Sequence, residues 1–101
     1  MAAKILIQRK IKPDCLGNLL ELSLKLRSVA VKQPGYISGE TLVSSEHDHI
    51  HLIISTWRNL NDWKAWEDNT ERKEISKEID KLLEEPSKID AFIDLYGAGS
   101  G

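Results

Sequence analysis

Several features that mark specialised protein classes are missing from this chain. The single cysteine, Cys15, has no partner for an intrachain disulfide, which argues against a disulfide-stapled scaffold. No apolar run approaches the roughly 20 residues that span a bilayer. No charge of one sign dominates: 14 Lys plus Arg face 16 Asp plus Glu, and no basic block stands out, so the electrostatic footprint of a nucleic-acid binder is missing. The start, MAAKILIQRK, lacks the parts of a signal peptide, and a cytoplasmic location is the expectation. Aromatic residues are scarce as well. Outside one short stretch there are only Tyr36, Phe92 and Tyr96.

What is present is the hydrophobic patterning of one small α+β domain, expected over residues 1–96, with GAGSG (97–101) as a flexible tail. KILIQRKI (4–11) alternates in the strand period, with Ile5, Ile7 and Ile11 on one face and Leu6, Gln8 and Lys10 on the other. Arg9 reads as a salt-bridge or rim residue. Pro13-Asp14 breaks the strand, and Asp14 is placed to cap a helix. Between Leu16 and Val31 the apolar residues Leu16, Leu19, Leu20, Leu22, Leu26, Val29 and Ala30 recur at helical steps. Gln33-Pro34-Gly35 ends that helix. Strands over Tyr36–Val43 and Ile50–Trp57 flank the polar turn SSEHDH as a hairpin. Asn59 or Asn61 then caps a short helix, and Asp68 with Glu71 forms the capping box of another, carrying Ile75, Ile79, Leu82 and Leu83. Ile89–Tyr96 alternates as a last strand.

That order is the ferredoxin-like βαββαβ arrangement, an antiparallel sheet with its helices on one face. The strands carry apolar residues on both faces, and helices can cover only one. An uncovered apolar face marks an interaction surface, and homodimerisation through the sheets covers it with two-fold symmetry.

The aromatics concentrate in STWRNLNDWKAWEDN (55–69), which holds Trp57, Trp63 and Trp66. Trp57 ends a strand, while Trp63 and Trp66 share one helical face. Large rings at such a seam serve a core and a pocket wall alike. His47, His49 and His51 lie at the two-residue spacing that puts three imidazoles on one strand face, a metal-ligand pattern. The run begins in the hairpin turn, where alternation fails, so surface polarity is the better reading and no metal is expected. His51 is the one expected inside the strand, where it can act as a general base if it faces the cavity. Cys15 near a helix start reads as packing or an idle thiol.

QPGYISGETL (33–42) followed by ISTWRNLNDWKAWEDNTERKE (54–74) resembles the antibiotic biosynthesis monooxygenase family, and the similarity extends over nearly the whole chain. The resemblance implies a ferredoxin-like protomer that dimerises by its sheets into an α+β barrel. It also implies a cavity between sheet and helices, and the oxidation of a quinol or polycyclic phenol without metal or organic cofactor. In that chemistry the deprotonated substrate supplies the electrons, and the protein binds a flat aromatic, favours its anion and admits molecular oxygen. Trp66 with Gln8 and His51 are the catalytic candidates. Trp57, Trp63, Ser55, Arg58 and Tyr36 are the substrate-binding ones. A haem-degrading branch of the family places an asparagine, a tryptophan and an iron-ligating histidine where this chain has Gln8, Trp66 and Ser76, so the iron ligand is lost. A non-catalytic ligand-binding or structural dimer is the alternative.

Overall fold

A computed structural model of the chain describes residues 1–96, and the expected flexible tail lies outside them. The elements run β1 (Ala3–Lys10), α1 (Leu16–Ala30), β2 (Tyr36–Val43), β3 (Ile50–Trp57), α2 (Leu60–Glu67), α3 (Thr70–Asp80) and β4 (Lys88–Ile93). The four strands form one antiparallel sheet in the order β2-β3-β1-β4, as expected of the ferredoxin-like arrangement. No helix is long and apolar enough to cross a membrane among the described residues.

Registers decide which side chains share a face, because residues directly opposite each other in paired strands point the same way. Ala3 pairs with Trp57, Ile5 with Ser55, Ile7 with Ile53 and Arg9 with His51. That set faces the helices and is buried except for half-buried Ile53. The alternate set pairs Leu6 with Ile54, Gln8 with Leu52 and Leu42 with Leu52, and Lys4 with Phe92. No helix covers this second face: Leu42 is 44% exposed and Phe92 55%.

Burial divides into two clusters. One holds Ala3, Ile5, Ile7, Ala30 and the three tryptophans. The other holds Ile11, Leu19, Ile75, Ile79 and Leu83. Leu26 and Val29 of α1 touch both. Along β1 the two clusters are separated by a single inward position, Arg9. Its guanidinium occupies the seam where an aliphatic side chain would have merged them. Arg9 is 6% exposed, which corrects its reading as a rim residue.

Other expectations also change. Asp14 does not cap α1: it takes φ +64°, a left-handed conformation that aspartate tolerates, and the cap position falls to Cys15 with no side-chain hydrogen bond. Asn59, not Asn61, caps α2 by accepting from Asp62 N at 2.8 Å. Asp68 closes α2 with near-helical backbone angles, so it cannot adopt the extended conformation an N-cap needs, and Asn69 caps α3 instead. The α1 stripe is narrower than its apolar spacing suggests, since Leu16 and Leu20 are exposed. β4 ends at Ile93, and Leu95 and Tyr96 fall in a turn.

Candidate functional site

Between the sheet and the helices lies a cavity of about 230 Å3. Its apolar wall begins where β3 ends. Trp57 is 1% exposed, and its indole stacks on that of Trp66, with centroids 6.5 Å apart and planes 25° from parallel. Trp63 meets Trp57 edge-on at 5.9 Å, and Tyr36 also does so, at 5.4 Å and 90°. Edge-to-face and offset contacts of this kind suit the ring quadrupoles. The Trp57 Nε1–H donates to Ser55 Oγ at 3.1 Å, so the buried indole is satisfied within its own strand.

Glycine positions Tyr36 at both ends of this wall. Gly35 holds φ +83° in the turn before β2, and a Cβ there would run into the Asp62 carboxylate. Its carbonyl accepts from Arg58 N at 2.7 Å, tying the turn to the end of β3. A Cβ on Gly39 would lie 2.5 Å from the Tyr36 hydroxyl, so only glycine lets that phenol lie over β2.

The rest of the lining mixes aliphatic and polar residues, and its charged members are mostly cationic. Arg9, Arg27 and Arg72 all reach the cavity, against one carboxylate, Asp80. Arg9 Nη1 donates to Ser23 Oγ at 3.2 Å, while its buried Nε has no hydrogen-bond partner among the described residues. Burial lowers the Arg9 pKa to about 10, partly offset by Asp80 and reinforced by Arg72 and Arg27. Arg27 Nη2 donates to Thr41 Oγ1 at 2.8 Å. Arg72 lies 5.2 Å from the Trp63 ring centre and donates to the Glu67 carbonyl at 3.1 Å. Burial also lowers its pKa, opposed by Glu67, Asp80 and Asp68.

The structure therefore brings together Trp57, Trp63, Trp66, Ser55 and Tyr36 of the candidates. It does not bring Gln8, which stands opposite Leu52 on the open face of the sheet. Arg58 is exposed and bound to the Asp62 carboxylate at 2.8 Å, away from the cavity. His51 is buried on the inward face but does not line the cavity. Its pKa is lowered by burial and then by the Arg9 charge, so it stays neutral at neutral pH. His47 and His49 are exposed in the hairpin turn. Among the described residues, no group of three or more His, Cys, Asp or Glu side chains is placed to hold a metal ion.

Residue-by-residue reading missed Arg9, Ser23, Arg27, Arg72 and Ser76. Each of four carries the same signal: a polar residue inside an apolar stripe. Arg9 interrupts Ile5, Ile7 and Ile11, Ser23 sits between Leu19 and Leu26, and Arg72 and Ser76 accompany Ile75 and Ile79. Ser76, at the position of the haem-degrading branch's histidine, lines the cavity but offers no imidazole. Arg27 follows Leu26 directly and is legible only from the packed helix.

A comparison with curated protein sequences returns no match. Solved structures do resemble this chain. A putative antibiotic biosynthesis monooxygenase from Nitrosomonas europaea superposes with TM-score 0.86 at 15% identity, over 97% of this chain and 94% of that one. SnoaB from Streptomyces nogalater, a cofactor-independent oxygenase, superposes with TM-score 0.82 at 11% identity, over 92% of each chain. A conserved protein from Methanosarcina mazei Go1 reaches TM-score 0.86 at 17% identity, over 91% of each. Identities this low speak for a shared fold. Membership rests on the sequence itself: the model of the antibiotic biosynthesis monooxygenase family matches residues 3–78, and the chain belongs to that family.

Proposed function

We propose that this protein is a cofactor-independent monooxygenase that oxidises a small flat phenol or quinol in the cavity between sheet and helices, as a homodimer joined by its open sheet faces. The observation that carries this reading is the cavity's composition, a lining that combines the stacked Trp57–Trp66 pair with three arginine side chains. An indole wall binds a flat ring by area and stacking. The excess of positive charge favours the deprotonated form of a phenol, the form that can give electrons to oxygen. For a phenol whose keto tautomer carries a ring methylene the balance is one O2 consumed: one oxygen atom becomes the product carbonyl, and the other leaves as water with both hydrogens of that methylene. No external reductant is required, and SnoaB is an oxygenase of the cofactor-independent kind in the same fold.

In this scheme Trp57, Trp63 and Trp66 wall the ring, Trp66 being the residue against the reacting substrate. Ser55 and Tyr36 supply neutral polar groups. Gln8 and Arg58 have no contact role, because their side chains lie outside the cavity. His51 acts only through Arg9, its cross-strand neighbour.

One observation favours a second reading, a non-catalytic binding or structural module. The three indoles are all under 5% exposed and pack on one another, as core residues do. Oxygen consumption with a panel of quinols and anthrone-like phenols, in the presence of a metal chelator, separates the two. Turnover that survives chelation and falls in Trp66→Phe supports the oxygenase. A folded protein without turnover on any of them supports the module.

A further inference from the structure

Arg9 is hard to account for as a structural residue. It occupies the one inward position of β1 between two apolar clusters, with 6% of its surface exposed. Charge buried there costs free energy unless it is paired. The pairing within the chain is incomplete. Nη1 has Ser23, a neutral hydroxyl, and Nε has no partner among the described residues. Asp80, the only carboxylate lining the cavity among the described residues, makes no ion pair with it. Two further guanidiniums, Arg27 and Arg72, add positive charge that Asp80 offsets only in part, while His51 beside it remains neutral.

We infer that Arg9 is the specificity residue of the cavity, its cavity-lining guanidinium receiving the carboxylate of an aromatic acid of one or two fused rings. This rests on the reading of the cavity as an aromatic-binding site and names the substrate class within it. Two physical points select that class. The first is charge at arrival. A phenol with a pKa near about 10 reaches the cavity neutral, and only a group already ionised at neutral pH offsets Arg9 from the moment of binding. The second is size. An apolar cavity of about 150 Å3 accommodates benzene. The 230 Å3 here suits one or two rings better than a long polycycle. With the acid on Arg9, the ring lies toward the Trp57–Trp66 wall, and the polar end of the ligand is fixed at the seam between the two clusters.

The test is calorimetric binding of 2-naphthoate and its uncharged isostere 2-naphthamide, using the whole protein, Arg9→Met, Arg9→Gln and the control Arg58→Met. The wild type and Arg58→Met are expected to bind the acid about tenfold tighter than the amide or better, as a charge-assisted hydrogen bond supplies. In both Arg9 variants that preference falls to about one while the amide still binds. Equal affinities in the wild type, a comparison that depends on no variant folding, overturn the inference and leave the oxygenase reading standing. A preference that survives in Arg9→Met or Arg9→Gln overturns it too. If neither compound binds, the inference and the aromatic-site reading fall together. A preference for the acid without oxygen consumption on any hydroxylated analogue supports the inference and removes the oxygenase.

Discussion

Gly35 and His51 show how single side chains, or the lack of one, shape the site. At φ +83°, with the Asp62 carboxylate where a Cβ would go, any side chain at Gly35 is strained. Gly35→Ala is expected to lower stability by about 1–3 kcal/mol, read as a shift in the urea midpoint. The same change should loosen the Arg58–Asp62 pair, since Asp62 must move. His51 carries a sign that can be checked. Its folded pKa lies below the ordinary 6.5, so above that value folding leaves it neutral and incurs no protonation cost. As pH falls through 6.5 the unfolded chain takes up the proton more readily than the folded one, and stability is lost. Urea midpoints at about pH 7 and about pH 5 should therefore differ more in the wild type than in His51→Gln. Equal differences would mean that His51 is not held neutral by its surroundings. NMR titration of His51 in Arg9→Met should show its pKa rising, because one of its two depressing causes has been removed.

The helices and strands of this chain follow from local rules, but their caps show where local rules stop. A Ser/Thr/Asp/Asn cluster ahead of an apolar stripe says that a helix starts, and Asp68-Asn69-Thr70-Glu71 offers more than one candidate for the cap. The backbone chooses. Asn69 adopts φ −63°, ψ 131°, and its side chain accepts from Arg72 N at 3.0 Å, while Asp68 stays near-helical as the end of α2. Asn69→Ala should then cost about 1 kcal/mol of stability. Asp68→Ala should stay within about 0.5 kcal/mol, because its contact with Lys73, at 3.9 Å between exposed groups, is a weak one. A reversed order in thermal or chemical denaturation would mean that α3 begins one residue earlier. β1 makes the complementary point. Its alternation was legible throughout, Arg9 included, but treating arginine as a surface residue by default concealed what the period itself implied.

For the molecule as a whole, the open sheet face is the feature on which the proposed dimer rests. Leu6, Leu42, Leu52, Ile54 and Phe92 share it with Gln8 and with the charged Lys4, Glu40, Lys88 and Asp90, and no helix lies over them. Large exposed apolar patches mark interaction surfaces, and in the proposed homodimer a second copy would cover this one through an isologous interface. Sedimentation of the wild type at micromolar concentration should show a dimer, and Leu52→Glu, which buries a carboxylate at the centre of that face, a monomer. A monomeric wild type would sink the proposal of sheet-to-sheet pairing.

The architecture was written in periodicity. Two-residue alternation set four strands with two apolar faces, three- and four-residue steps set the helices, and their order left one topology to expect. Those are properties of neighbouring residues, and a chain read in order displays them. Composition of the cavity is a different kind of property. Arg9 lies on β1, Ser23 and Arg27 on α1, and Arg72 and Ser76 on α3, and each by itself is only a polar residue in or beside an apolar stripe. Strand register turned Gln8 outward and Arg9 inward, and the docking of α1 and α3 on that face brought three cations around one space. Convergence of that sort depends on contacts between residues tens of positions apart, which local pattern does not encode and packing alone decides.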